Sequence, residues 1–346
     1  MSATVPIKIV AIGGGTGLAT LLEGLKPYLE PATAPSAGQI NIWPKISLTA
    51  IVTVTDDGKS SGRLRGEFSV LPPGDIRNCL VALADVDNYM SRLFSHRFPG
   101  DGAIGGHSLG NLIILALNQM NGSFLSAIDQ AREILDIKAK VLPSTLDRVD
   151  LVAQVGTRLV RGQVAIKSQN TPIRKLTISP PDARALDEAV EAILEADLIT
   201  LGPGSLFTSV IANLLVRGIA NALIESKAKK IYICNAMTES DETEGFTAAD
   251  HVKLLLEYAP KLRLDYALFN STPISEEMLK RYAAENAVAL EPPAVNEKYE
   301  SESGTIEFIS LPLISESRAV RHTPQKLSEA IFDIYSKRIA GAYQHS

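Results

Sequence analysis

Twice in this chain an apolar run of strand length ends in a glycine corner and gives way to apolar residues at helical spacing. Ile7 to Ile12 leads into Gly13-Gly14-Gly15-Thr16-Gly17, after which Leu18, Leu21, Leu22 and Leu25 recur until Pro27. Asp197-Leu198-Ile199-Thr200-Leu201 leads into Gly202-Pro203-Gly204-Ser205, followed by Val210, Ile211, Leu214 and Leu215. A strand that turns straight into a helix is the opening half of a parallel crossover. Further apolar runs, Ile46 to Val54, Ile231 to Asn235 and Tyr266 to Asn270, alternate with helical stretches near 182–195, 252–258 and 325–338. The expected fold is α/β, a Rossmann-like, doubly wound and mostly parallel sheet, with its site along the carboxyl ends of the strands. Between about 139 and 180 the pattern changes to short Val/Leu/Ile pieces broken by Gly156, Gly162 and Pro172. That is the mark of a small antiparallel, β-rich insertion, so residues 1–346 are expected to form one domain carrying it. Residues 30–44, with prolines and an isolated Trp43, read as a surface loop.

The densest chemistry follows the Ile46–Val54 run. Residues 53–78 read Thr-Val-Thr-Asp-Asp-Gly-Lys-Ser-Ser-Gly-Arg-Leu-Arg-Gly-Glu-Phe-Ser-Val-Leu-Pro-Pro-Gly-Asp-Ile-Arg-Asn. Glycines let backbone amides approach a ligand, and cations complement phosphate charge. Asp56, Asp57 and Asp75 offer hard oxygens for a magnesium ion or acceptors for sugar hydroxyls. A purely structural loop needs the glycines but not this density of charge. Thr55, Asp56, Asp57, Ser60, Ser61, Asp75, Arg77 and Asn78 are therefore candidate ligand contacts, with Asp75 also expected to cap a helix through Cys79, Leu80 and Leu83.

The first glycine corner fails both common nucleotide fingerprints. Counting from Gly13 puts Leu18 at the third glycine position, and no Gly-Lys-Ser/Thr follows. Gly13, Gly14, Gly15, Thr16 and Gly17 still place free amides at a helix N-terminus, an anion site, and the competing reading is a tight turn. Gly202, Pro203, Gly204 and Ser205 carry the same pair of readings. Asn235 ends the next strand at the same sheet edge, and the acidic run Glu239 to Glu244 reads as a solvated loop without a role. Gly106-His107-Ser108-Leu109-Gly110 spells the nucleophile elbow of serine hydrolases, but no apolar strand precedes it. Ser108 is instead expected to cap a helix, with His107 and Asn111 facing the cleft; a structural role for His107 is the alternative. Arg321, in the stretch Arg318 to His322, is either part of a surface helix entry or a cation closing over the ligand.

Composition bounds what the chain does. Across 346 residues, 45% are apolar and 21% charged, enough for a large core. The net charge of −5 argues against bulk nucleic-acid binding. Cys79 and Cys234 lack metal-type spacing and read as buried thiols. No stretch reaches membrane-spanning length, and Met1 to Pro6 has no basic lead into an apolar signal segment, so the expectation is a cytoplasmic protein with no membrane insertion.

Together these segments resemble the gluconeogenesis-factor family, the YvcK-like proteins, within the superfamily that includes 2-phospho-L-lactate transferase. The matching pieces are Ala11 to Gly17, Thr55 to Gly58 with Ser60 to Arg63, Leu71 to Asn78, Gly106 to Asn111 and Gly202 to Leu206. Lys59 departs from the family, where a second glycine usually follows Asp-Asp-Gly; a lysine there is expected to stiffen the loop and add a cation. The resemblance implies a Rossmann-like fold, binding of a nucleotide sugar such as UDP-N-acetylglucosamine, and a role in cell-wall synthesis and cell shape on gluconeogenic carbon sources. In the transferase branch the loop matching Asp57 holds acceptor and metal-associated chemistry. The expectation is a homodimeric regulatory protein that acts on a protein partner. The competing class is a magnesium-dependent phosphotransferase using Asp57 and Asp75, with Asp57 a metal ligand and Mg2+ the one cofactor in view.

Overall fold

A computed structural model of the chain describes residues 5–30, 45–169, 171–240, 242–316 and 319–340. Residues 31–44 of the expected surface loop, Trp43 among them, lie outside the described residues, as does Arg318. Thirteen strands are described. In chain order they are β1 (Ile7–Gly13), β2 (Ile46–Val52), β3 (Lys140–Pro143), β4 (Asp150–Val155), β5 (Arg158–Arg161), β6 (Ile173–Ser179) and β7 (Leu198–Leu201). Then follow β8 (Lys229–Ile233), β9 (Tyr266–Asn270), β10 (Lys298–Ser301), β11 (Gly304–Leu311), β12 (Ile314–Glu316) and β13 (Val320–His322).

Eight of them form one sheet in the order β10-β11-β9-β8-β7-β1-β2-β3, parallel throughout except for β10. Strands β1, β2, β7, β8 and β9 are buried along almost their whole length, as expected where helices cover both faces. The chain runs outward from β1 to β2 and β3, then returns to the other side of β1 as β7. That reversal is a topological switch point, and it leaves a crevice beyond the carboxyl ends of β1 and β7. Both glycine corners expected from the sequence open there. The doubly wound sheet is thus present in the expected class.

The β-rich stretch is subdivided. Lys140–Pro143 joins the large sheet beside β2, whereas β5-β4-β6 form a separate antiparallel sheet. In β4, Leu151, Ala153 and Val155 are buried while Asp150, Val152 and Gln154 alternate outward, a half-covered strand. A short helix, Gln163–Lys167, leaves β5 and returns toward the switch point. Two side chains fasten this unit to the helix Lys59–Phe68 and the loop before it. Arg65 Nη2 lies 2.5 Å from Asp150 Oδ1 and donates to the Val149 carbonyl, and Asp57 Oδ1 accepts from the Val164 amide at 2.8 Å.

The helix Gly15–Leu25 buries Leu18, Leu21, Leu22 and Leu25 and packs against the helices Gly74–Leu83 and Pro324–Ile334. Its glycines are contact points. A β-carbon at Gly24 would stand 2.0 Å from the Pro324 carbonyl oxygen, and one at Gly17 would stand 2.6 Å from that of Pro203. After Ser205 the chain enters one wide π turn, Leu206–Ile211, rather than a regular helix. Asn213 spans the junction, donating to the carbonyls of Gly13 at 3.0 Å and Ser209 at 2.6 Å. Strands β12 and β13 form a hairpin whose Ile314 and Val320 pack with Ala236, Met237 and Met278 in a satellite core. No helix among the described residues is long and apolar enough to cross a membrane.

The glycine contacts differ in kind, and unfolding experiments should separate them. A Gly17→Ala side chain meets the backbone of Pro203 and Gly204, so the substitution should cost about 2–3 kcal/mol in urea denaturation. Gly15 has open space around it but a φ of +62°, so Gly15→Ala should cost about 1 kcal/mol. Equal costs would mean that the two corners are not in contact.

Candidate functional site

Beyond the switch point lies a cavity of 380 Å³. Its floor is the two glycine corners, and its sides come from Asp56 and Asp75, from Gln163 and Lys167 of the inserted unit, from Asn235 to Glu239 after β8, and from Arg321 and His322 on β13.

At the first corner the helix begins at Gly15, and its first-turn amides have no acceptor inside the helix. Asp75 claims one of them, accepting from the Gly15 amide. Asp75 is not the cap of its own helix, as the sequence led one to expect: Pro73 occupies that position, and Asp75 sits in the first turn with its carboxyl directed at the glycine corner. Burial pushes this carboxyl up to about 6, helped by the neighbouring Asp56 and opposed by the Gly15 amide. The backbone beside it is closely packed at two glycines. A β-carbon at Gly14 would stand 2.9 Å from Asp75 Oδ2, and one at Gly74 would stand 2.2 Å from Ser61 Oγ and 2.9 Å from Asp56 Oδ2. The amides of Thr16 and Gly17 complete the N-terminal turn on the cavity side.

At the second corner Ser205 is the cap. Its hydroxyl accepts from the Thr208 amide at 3.1 Å and donates to Glu242 Oε2. Asn235 joins both neighbours, accepting from the Gly204 amide at 3.3 Å and donating to Glu239 Oε1 at 2.8 Å. The acidic run after β8 is therefore not a solvated loop, as its composition implied. Glu242 is 4% exposed and Thr243 is 3% exposed. Glu239 is carried inward because its own amide bonds to Thr243 Oγ1 and its carboxylate to Asn235. Burial, then the charge of Glu242, push Glu239 up to about 7. Lys167 answers both carboxylates at 3.5 and 3.3 Å. At the outer rim Arg321 is exposed. Burial lowers the adjacent His322 to about 4, which leaves the ring neutral at physiological pH.

Other candidates form a layer behind this cavity. Ser60 Oγ is shared by His107 Nδ1 at 2.9 Å and Asn111 Nδ2 at 3.0 Å, while Arg77 donates to Asn111 Oδ1 at 3.0 Å and Asn78 Oδ1 at 2.6 Å. His107 is lowered by burial and by Arg63 and Arg97. Those two arginines pin the carbonyls of Ala103, Gly105 and Gly106, so the glycine segment ahead of Ser108 is fastened rather than loose. Ser108 holds the cap position of the helix Leu109–Asn121, but its hydroxyl donates to the Phe94 carbonyl instead of capping, and it is fully buried. The serine-nucleophile reading therefore fails on access as well as on the missing strand. Thr55 pairs with Thr53 at 3.0 Å. Asp57 is engaged by Val164 and lies under Gly162, so of the paired aspartates Asp56 is the one facing the cavity. Lys59 is exposed and does not line the cavity. Its φ of 43° lies in the left-handed region, a conformation that glycine adopts more readily than lysine. Cys79 and Cys234 are free and buried.

Comparison with known proteins gives the family. A family model described as 2-phospho-L-lactate transferase CofD matches residues 9–310. The chain belongs to the CofD family. Similar members carry the name gluconeogenesis factor. The Bacillus subtilis protein is 39% identical, with 94% of this chain and 98% of that protein aligned. The Halalkalibacterium halodurans protein is also 39% identical, over 94% of this chain and 96% of its own. A crystal structure of a Bacillus halodurans protein superimposes with a TM-score of 0.85 at 38% identity, covering 94% of this chain and 99% of that one. Among the described residues of this CofD-family chain, no cluster of three or more His, Cys, Asp or Glu side chains forms a ready metal cage.

The raised Asp75 has a stability consequence. Its folded pKa of about 6 exceeds the ordinary value of 3.8, so the native state holds an extra proton in the interval between them. The contribution is most favourable below that interval and is lost as the pH rises through 6. Asp75→Asn should therefore stabilise the fold by about 1–3 kcal/mol at pH 8 and by little at pH 4, read from urea unfolding at both pH values. An equal effect at both would mean that the carboxyl is not desolvated.

Proposed function

We propose that this CofD-family protein binds a nucleotide-activated sugar of the UDP-N-acetylglucosamine kind in the switch-point cavity. It works in the cytoplasm as a homodimeric gluconeogenesis factor that signals through a protein partner to support cell-wall synthesis and cell shape on gluconeogenic carbon sources. The observation that carries this reading is the meeting of two glycine corners from adjacent strands. Amides of the helix Gly15–Leu25 suit phosphate oxygens, and carboxylates beside them suit sugar hydroxyls. The cavity volume falls in the range usual for small-molecule sites. Arg321 stands at the rim as a cation for the second phosphate or for the ring.

A second reading, a magnesium-dependent phosphotransferase, is favoured by one observation: Asp56 and Asp75 both line the cavity beside the first corner, close enough for the charge of Asp56 to raise Asp75. Magnesium is commonly held by one or two carboxylates together with substrate phosphates, and this pair has that composition. When bound, the ion would neutralise phosphoryl charge there.

The two readings part in a direct assay. UDP-N-acetylglucosamine should raise the melting temperature, and Arg321→Ala should weaken its affinity in calorimetry by about tenfold, the loss of roughly one charge-assisted contact. No thermal shift in the wild type would sink the nucleotide-sugar reading. Steady magnesium-dependent release of nucleoside phosphate by the wild type, absent in Asp75→Asn, would replace the regulatory reading with the enzymatic one.

A further inference from the structure

Lys167 belongs to none of the sequence motifs, yet it lines the cavity and its ammonium lies against the acidic wall. Its ammonium lies 3.5 Å from Glu239 Oε2 and 3.3 Å from Glu242 Oε1. The Glu242 side chain is 1% exposed, whereas that of Lys167 is 41% exposed. Glu242 Oε1 has no aligned hydrogen-bond partner among the described residues; the Lys167 ion contact is what it has there. One ammonium thus serves two carboxylates, Glu242 buried and Glu239 half-buried, a set short of one positive charge. The groups facing this set are Asn235, Tyr232 and Cys234 from the β8 edge, Ser205 at the second corner, and Asp56, Asp75, Arg321 and His322 across the cavity.

We infer that Lys167 is a phosphate-binding residue held in reserve by Glu239 and Glu242, and that a diphosphate entering the cavity draws it away while the carboxylate pair takes up one proton from solvent. The inference rests on the reading that the cavity takes a phosphate ligand. Its logic is charge balance. A diphosphate seated on the first glycine corner adds negative charge to a cavity already lined by three carboxylates, Asp56, Asp75 and Glu239, with Glu242 buried behind them. Lys167 gains more from the incoming phosphate than from a pair it cannot neutralise, and its four-carbon stem gives it the freedom to swing. The abandoned pair cannot stay doubly ionised in a desolvated wall, so a proton from water comes to rest on one of its oxygens. The wall is poised for this. Burial opposes the charge on Lys167, but Glu242 and Glu239 outweigh it and raise the lysine, while Glu239 is itself pushed up to about 7. The same anchoring that holds Val164 on Asp57 fixes the helix from which Lys167 projects.

Calorimetry with inorganic pyrophosphate in two buffers of different ionisation enthalpy tests the inference. The wild type should take up between half a proton and one proton per pyrophosphate at pH 7.5 beyond that taken up by Glu239→Gln, and its affinity should fall roughly fivefold from pH 6.5 to 8. Glu239→Gln should bind more tightly than wild type at pH 8 with a flatter pH profile. Lys167→Met should lose at least about tenfold in affinity, and Lys167→Arg should restore most of it. Equal proton uptake by wild type and Glu239→Gln, full affinity in Lys167→Met, or no pyrophosphate binding by the wild type would each overturn the inference. A wild type that binds pyrophosphate as described but gives no signal with UDP-N-acetylglucosamine would leave the inference standing and remove the nucleotide-sugar reading.

Discussion

The molecule is organised around a backbone-to-backbone contact with no room for a side chain. Gly17, in the first turn of the first helix, lies against the carbonyl of Pro203 and the amide of Gly204. Because that contact is allowed, β1 and β7 can end at the same height and turn in the same place, with Ile12 opposite Leu201. Asn213 then ties the Gly13 carbonyl to the wide turn after Ser205. Separate the two corners by the width of a methyl group and the cavity loses its floor.

The inserted sheet is the second constraint on the site. Its Leu151, Ala153, Val155, Leu176 and Ile178 join the main core, and it places Gln163 and Lys167 over the second corner, where Gln163 donates to Thr208 at 3.4 Å. Its position is set from below by Asp57 and Arg65, both on the segment that follows β2. The paired aspartates therefore divide their work. Asp56 caps the turn to Gly58 and faces the ligand space, while Asp57 anchors the wall opposite. Two adjacent residues of identical chemistry acquire different roles because successive side chains on an extended loop point to different sides.

Much of this was legible in the sequence because it depends on local pattern. Strand, glycine corner and helix are neighbours along the chain, so the parallel sheet and the position of its carboxyl edge follow from residues 7–25 and 197–215 alone. The shallow features were legible and the deep ones were not. Nothing near Lys167 marks it, since a lysine on a short polar helix is ordinary, and its meaning comes from Glu239 and Glu242 far away in sequence. The acidic run after β8 was misread for a related reason: composition cannot show that Asn235, Ser205 and Thr243 each supply a hydrogen bond to bring it inside. The one available hint was its place immediately after a strand ending in Asn235. Ser108 shows the converse, a motif-perfect serine whose hydroxyl the fold spends on the Phe94 carbonyl.

The route of the chain through the sheet also fixes the order in which the molecule can be completed. The edge of β1 waits for β7, and where Lys8 meets Asp197 the two strands are 189 residues apart. The face of the first helix around Gly24 waits longer still, for Pro324 near the other end of the chain. On a ribosome, the first glycine corner would emerge early and stand uncovered while more than half of the chain was still to be made. Such distant pairings slow folding because loop closure precedes the contacts that reward it. The ligand cavity thus comes into being only with the near-complete chain, and a ligand that grips both corners would act as a clasp on one of the long loops the fold has to close.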